Sequence, residues 1–290
     1  MQRYIALLKI VESGSFTAAA KLLGYTQPAL SQMIASLESE LRVKLLNRSR
    51  YGIRLTPDGE RLLPGIQSAV SQYEAMRQTA DEIRGLDSGL VRIGTVSSVS
   101  CHWLPGVIRR FWSEHPNIEI ALHQGDYTSI QDWVRTGTVD FGFVNPKAVH
   151  GLEVADIVRS GEFRAILPAE HALARRKSLT LEELAHEPFI LLEEGAYSEP
   201  LEAFRAEGLD PEIRLRAHDD YSILSMVEQG LGISMLTELV LNKTSYNVAA
   251  VPIEPPIIRT MSIVVKDKKS LSLASRRFIK CLLDSRSELP

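Results

Sequence analysis

The chain has 290 residues, 44% hydrophobic and 24% charged, the composition of a globular protein with room for two or more domains. Its two cysteines, Cys101 and Cys281, share no CxxC or Cys/His spacing, so neither a disulfide framework nor a metal site is indicated. No apolar run approaches the ~20 residues that span a bilayer, and the N-terminus has helical periodicity with acidic Glu12 rather than a signal-peptide core; the expected location is the cytoplasm, with no membrane contact.

The net charge of −3 is unevenly spread. Residues 1–60 carry eight Lys/Arg against five acids, a net +3, which leaves −6 for the rest. Five of those cations lie between Arg42 and Arg54 with no acid among them, a cluster suited either to phosphate contact or to an ordinary solvated face. Ile5, Leu8 and Val11 recur at helical spacing until Ser13-Gly14-Ser15 ends the first helix. A second helix is predicted over 16–23, closed by Gly24 in the place where a left-handed residue is wanted. Thr26 then caps a third helix whose first turn tolerates Pro28. In it Leu30, Ile34, Leu37 and Leu41 form one stripe, and Pro28, Ser31, Gln32 and Ala35 lie opposite.

This is helix, tight turn, helix, and the outward face of the third helix is small and polar. Gln27, Ser31 and Gln32 can pair with base edges in a major groove, although glutamine and serine are also common on solvated faces. The following LLNRSRYGIRLTPDG holds two short β-prone stretches around Tyr51-Gly52, with Arg48, Arg50 and Arg54 about the turn: a basic wing that would grip the phosphate backbone.

The run SFTAAAKLLGYTQPALSQMIASLESEL (15–41), followed by that wing, resembles the DNA-binding signature of the LysR-type transcriptional regulators across its whole length. One departure is Leu46, where the family more often has phenylalanine. The resemblance implies that Gln27, Pro28, Ser31 and Gln32, with Thr26 at the helix start, face the groove, and that Arg48, Arg50 and Arg54 contact the backbone of double-stranded DNA.

Thr56 and Pro57 open a long helix in which Leu62, Ile66, Ala69, Tyr73, Met76, Ala80 and Ile83 alternate spacings of four and three. Such a heptad seam pairs with a second copy of itself or packs on its own domain, and Pro64 is expected to bend its first turns. The resemblance favours pairing and implies a homodimer that assembles into a homotetramer, touching RNA polymerase if it activates transcription.

Beyond the turn at 87–89, strands are predicted at 90–96, 118–122, 139–144, 165–167, 189–192, 213–216, 233–236 and 261–265, with helices between most of them. The alternation predicts parallel α/β sheets with ligand sites beyond the carboxyl ends of the strands. After the first of these strands, Ser97, Ser98 and Ser100 sit where a helix begins, a place that suits a carboxylate, a phosphate or another anion, or in which serines merely cap their own helix. FVNP (143–146), SLTLEELAHEPFILLEEG (178–195) and MVEQGLGISML (226–236) resemble the effector-binding region of the same family.

The resemblance therefore implies an α+β multidomain chain: a winged helix-turn-helix over 1–58, a linker and dimerisation helix over 59–88, and a periplasmic-binding-protein-like effector domain (type 2). Its first subdomain would be 89–160 with 266–290, and its second 161–265. By position, Ser97, Ser98, Ser100, Tyr127, Thr128, Asn145, Tyr197 and Ser198 are candidate contacts for a small-molecule effector, an anion by the reading of the serine turn. Tyr127 and Tyr197 fit equally as aromatics between subdomains. Cys101 beside that turn has the setting of a redox sensor or of a plain apolar residue. No GxSxG, GxxxxGK[ST] or GxGxxG motif argues for an enzyme or a cofactor. A transport solute-binding protein would account for residues 90–290 alone, and a sensorless repressor for the first sixty alone.

Overall fold

The computed structural model of the chain describes residues 1–49, 52–84, 88–242 and 244–290. Arg50 lies outside the described residues, as do the side chains of Arg48 and Ile83. The chain divides into two compact units, Met1–Arg84 with Thr136–Thr138, and Gly85–Arg135 with Val139–Pro290.

In the first unit, α1 (Gln2–Ser13), α2 (Phe16–Leu23) and α3 (Gln27–Leu41) precede β1 (Leu46–Ser49), β2 (Gly52–Leu55) and the 27-residue α4 (Pro57–Ile83). Ser15 caps α2 by accepting from the Ala18 amide at 3.3 Å, and Thr26 caps α3 by accepting from Ala29 at 3.3 Å. Gly24 between them has φ 70°, a left-handed conformation that is strained for other residues, and its amide reaches back to Ala20 and Lys21. Leu30, Ile34 and Leu37 are at most 2% exposed and join Ala6, Leu7 and Ile10 of α1 in one core, as their helical spacing predicts.

Two side chains set the wing. The Glu38 carboxylate accepts from the amides of Leu45 at 2.8 Å and Leu46 at 3.3 Å and from Lys44 Nζ at 2.7 Å. Thr56 Oγ1 donates to the Lys44 carbonyl at 2.5 Å and accepts from Gly59 at 2.9 Å. Both ends of the β1–β2 hairpin are thus held to the helices that flank it. The helix α4 continues through Pro64, whose ring leaves one backbone hydrogen bond unmade without ending the helix.

The second unit runs β3 (Gly89–Thr95), α5 (Ser97–His102), α6 (Leu104–Glu114), β4 (Ile118–Gln124), α7 (Tyr127–Thr136), β5 (Phe141–Val144) and β6 (Glu153–Pro168). It continues through α8 (Leu181–Ala185), β7 (Phe189–Leu192), α9 (Glu199–Ala206), β8 (Ile213–Ala217), α10 (Asp220–Glu228) and β9 (Ser234–Thr237). It closes with α11 (Glu238–Leu241), β10 (Val248–Pro252), β11 (Ile258–Val265) and α12 (Leu273–Asp284).

Two lobes share a mixed sheet of order β10-β6-β11-β5-β3-β4, with β9 also on β6. The expectation of parallel sheets holds for β3 with β4 and β5, and for β7 with β8. It fails for β6, β9, β10 and β11, whose mutual pairings are antiparallel, as is that of β11 with β5. The physical reason is the crossing: β6 leaves the first lobe and β11 returns to it, so the two run in opposite directions side by side. From Glu153 to Glu162 β6 pairs with β11, and from Phe163 onward it pairs with β9 and β10. Ser262–Val264 also pair with β5, so the returning strand has joined the first lobe's sheet by Ser262.

Alternation along the strands builds the second lobe's two cores. Phe163, Ala165 and Leu167 face one and Ile166 the other; on β7, Phe189 and Leu191 divide from Ile190 and Leu192 in the same way. In the first lobe, Phe278 and Leu282 of α12 complete a core with Phe111, Phe141 and Phe143.

Candidate functional site

On the first unit, Gln27, Pro28, Gln32 and Ala35 are exposed on α3 and Ser31 is half-buried, with Gln27 Nε2 donating to Ser31 Oγ at 2.9 Å. Thr26 is exposed but its hydroxyl is engaged as the helix cap. Arg54 is exposed on β2 opposite Asn47, beside the register pair Arg48 and Ile53. Glu38 keeps these elements in place as an ion: burial opposes its charge, but Lys44 and the two backbone amides outweigh burial and hold its carboxyl below the usual range. The sequence reading missed it, because a glutamate on a helix gives no sign that it faces a later strand.

Along α4 the seam residues are not equivalent. Leu62 is 38% and Met76 60% exposed, Ala80 is exposed, and Ala69 and Tyr73 are half-buried. Ile66, at 6% exposure, is already part of the unit's own core.

On the second unit the residues expected at the serine turn reach a charged centre between the lobes. Arg259 on the returning strand β11 is 5% exposed. Its Nε donates to Tyr127 Oη at 2.7 Å, one terminal nitrogen donates to Ser98 Oγ at 3.4 Å, and the other pairs with Glu194. Glu199 lies 3.9 Å from its Nε. Tyr127 Oη in turn donates to Glu199 Oε1 at 3.1 Å, and Asn145 Nδ2 donates to the same oxygen at 2.8 Å. Ser97 Oγ donates to Asp220 at the start of α10. Thr128 Oγ1 accepts from the Ala196 amide at 2.9 Å, and Tyr221 and His102 meet at 3.0 Å. The bonds of Ser97 to Asp220, Tyr127 and Asn145 to Glu199, Thr128 to Ala196 and His102 to Tyr221 join first-lobe residues to second-lobe residues.

Three candidates are not drawn into this centre. Ser100 Oγ donates to the Ser97 carbonyl within α5, Ser198 caps α9 by accepting from Leu201, and Tyr197 packs half-buried against the first-lobe core. Arg259, Glu194, Glu199 and Asp220 are what sequence reasoning missed. Burial pushes the Glu194 carboxyl up to about 8, with Arg259 opposing the shift and Glu199 and Asp220 adding to it. Burial also raises Asp220. It disfavours charge on Arg259 too, but Glu194, Tyr127, Glu199 and Asp220 outweigh it and hold the guanidinium ionised.

Two cavities flank the centre. One of about 310 Å³ is bounded by Val96, Ser97, Gln124, Gly125 and Asp126 of the first lobe and by Leu192, Glu193, Glu194, His218 and Asp220 of the second. These residues follow or end β3, β4, β7 and β8, the carboxyl-terminal edges at which open α/β sheets place ligands. The other, of about 240 Å³, includes Ser98, Trp103, Arg159, Glu238 and Arg259 in its wall. Cys101 is exposed and Cys281 half-buried, both as free thiols. Among the described residues no group of three or more His, Cys, Asp or Glu converges to hold a metal ion, and no helix is long and apolar enough to cross a membrane.

Comparison with known proteins accords with both halves. Residues 1–60 match the bacterial regulatory helix-turn-helix protein family, lysR type, and residues 84–287 match the LysR substrate binding domain. The uncharacterised HTH-type transcriptional regulator YvbU of Bacillus subtilis is 31% identical over 278 residues, 94% of each chain. The transcriptional dual regulator GltC of the same organism is 28% identical, covering 90% of this chain and 89% of its own. Among solved structures, full-length OxyR from Pseudomonas aeruginosa superposes with a TM-score of 0.73 at 24% identity, covering 99% of this chain and 97% of its own. The LysR-family regulator CbnR does so at 0.73 and 19% identity, covering 98% of each. The chain belongs to the LysR family of transcriptional regulators, with an N-terminal helix-turn-helix that binds DNA and a C-terminal ligand-binding domain.

Proposed function

We propose that this regulator reads a specific duplex site through the exposed face of α3, steadied by the basic wing, and that a small molecule held between the lobes of the second unit changes its DNA binding or its power to activate. The observation that carries the effector half is the 310 Å³ cavity walled by both lobes at the carboxyl ends of four strands. A ligand there touches both lobes, so it favours one arrangement of them over another, which is what population shift requires. The working form is a homodimer or homotetramer in the cytoplasm, paired through the exposed part of the α4 seam, chiefly Leu62, Met76 and Ala80.

The bound groups divide by role. Gln27, Pro28, Ser31 and Gln32 contact bases, and Arg48, Arg50 and Arg54 contact phosphates. Gel-shift titration on a promoter fragment and on random DNA tests the division. Gln32→Ala weakens the promoter complex alone, whereas Arg54→Ala weakens both and lowers the salt dependence by about one counterion. Equal losses on the two DNAs for Gln32→Ala sink the base-reading role. Ser97→Ala, in the wall of the 310 Å³ cavity, leaves DNA affinity intact and removes the response to effector; an unchanged response takes that cavity out of the sensing function.

A further inference from the structure

The serine turn, read alone, points to an anionic ligand, but the folded cavity has the opposite character. Four carboxyl-bearing residues, Asp126, Glu193, Glu194 and Asp220, stand in its wall, with His218 as their one basic companion there; Arg259 opens onto the other cavity instead. Three of the four are already served by the protein. Asp126 accepts from the amides of Thr128 and Ser129, Glu193 from Arg216 and His218, and Glu194 from Arg259. Asp220 is different. It is 3% exposed, its one side-chain partner is Ser97, and its Oδ1 is buried with no hydrogen-bond partner. A buried carboxylate oxygen left without a donor costs about 1–3 kcal/mol or more; among the described residues Glu199 Oε2 and Thr237 Oγ1 share that condition, and of the three Asp220 is the one in this cavity's wall.

The helix dipole does not restore an anion site. The helix α5 that follows Ser97 has only six residues, and its first hydroxyl is spent on Asp220. An anion placed here would push the buried carboxyls of Glu194 and Asp220 still further up, whereas a cation draws them toward their ionised forms and meets Asp126 and Glu193 in the same wall.

We infer that the effector of the interlobe cavity is an organic cation, an amine or guanidinium compound, whose N–H groups donate to Asp220 Oδ1 and whose charge is balanced by the surrounding carboxylates. This rests on the proposed effector role of the cavity and specifies its chemistry. A bare metal ion fits less well, because among the described residues no three potential ligands converge on one point. The cavity volume of about 310 Å³ corresponds to roughly ten water volumes, enough for a compact diamine or guanidino-amine.

The test is thermal unfolding and calorimetric titration of the full-length protein with agmatine and putrescine as cationic probes, butane-1,4-diol as a neutral analogue and glutarate as an anion. The expected result is saturable stabilisation by at least one cation and none by the diol or glutarate. Asp220→Asn weakens the cation about tenfold, the scale of a charge-assisted hydrogen bond. Glu193→Gln, at the partly exposed rim and therefore safe for folding, weakens it about threefold through charge alone. Glu207→Gln, at an exposed position just after α9 and outside the cavity wall, leaves the cation's affinity unchanged, which separates the site from general acidity. Stabilisation by glutarate and not by the cations overturns the assigned charge while leaving a ligand site between the lobes. Equal effects of diol and diamine show that charge plays no part, and silence from all four probes overturns the cation assignment, leaving the sensor reading to the Ser97→Ala experiment.

Discussion

Replacing Arg259 with Met removes the one cation from a centre that holds Tyr127, Glu194, Glu199 and Asp220, each at most 6% exposed. The methionine keeps much of the stem volume, so the loss is electrostatic and hydrogen-bonding rather than a cavity. Breaking a buried ion pair by deleting one partner costs about 3–5 kcal/mol, because the remaining charge is left desolvated. For a unit of this size each kcal/mol moves the midpoint by about 2–4 °C, so the fall is on the order of 10 °C. The chain's three tryptophans, Trp103, Trp112 and Trp133, all lie in the second unit, so tryptophan fluorescence follows that unit's melting without interference from the DNA reader. The carboxylates relieve their repulsion by taking up protons, so the deficit shrinks on acidification toward pH 5 and widens above pH 7. Adding Glu194→Gln to Arg259→Met restores part of the loss by removing one unpaired charge. A midpoint within about 2 °C of wild type would refute the view that Arg259 holds the centre together.

Glu194→Gln alone changes how stability responds to pH. The folded carboxyl lies at about 8, above its ordinary 4.5, so the group's favourable contribution is complete below about pH 4.5 and is lost as pH rises to 8. Fluorescence melts of the variant over that window have a flatter profile than wild type, with the largest relative gain at pH 8. In the first unit, Glu38→Ala leaves the amides of Leu45 and Leu46 without their acceptor and costs about 2–4 kcal/mol, seen in the circular-dichroism transition to which tryptophan is blind. Because the folded Glu38 pKa is lowered, its contribution is present above pH 4.5 and is lost as pH falls through the folded value, so the difference between variant and wild type narrows in acid.

The elements that could be read from sequence are those whose signals are local. The second helix ends at Gly24 because a left-handed residue is needed there, and the third begins at Thr26 because a side-chain acceptor is needed; neither depends on anything distant. The two poorly read strands depend on their neighbours. Of β6 only 165–167 was legible, because its first half is largely exposed beside the returning strand and carries charges where a buried strand would have none. At the end of the sheet, β10 is five residues long and finishes in Pro252, a residue that edge strands tolerate and that argues against a strand in a sequence. At the site, Ser97, Ser98, Tyr127 and Asn145 were found by position, but their partners come from segments 54 to 161 residues away, which no local pattern reports. One signal was available. Arg259 interrupts the apolar run IIRTMSIVV (257–265), and a charge inside a buried strand requires counter-charges, for which Glu193-Glu194 after FILL are the evident source.

The charge balance of the interlobe centre also fixes what binding does to protons. Glu194 is faced by Arg259 from β11, Tyr127 from α7, Glu199 from α9 and Asp220 from α10, and burial raises its carboxyl so that part of its population carries a proton near neutrality. A cation entering the adjoining cavity favours the ionised form of Glu194, just as Arg259 does from the other side. Its binding therefore releases a fraction of a proton near neutrality, and its affinity rises with pH through the range in which Glu194 ionises. An anionic ligand reverses both signs, drawing a proton in and binding more weakly as pH rises. Calorimetric titration of the same ligand in two buffers of different ionisation enthalpy measures the proton count directly. Release that disappears in Glu194→Gln assigns it to this carboxyl, whereas uptake, or release that persists in the variant, contradicts the placement of a cation beside it.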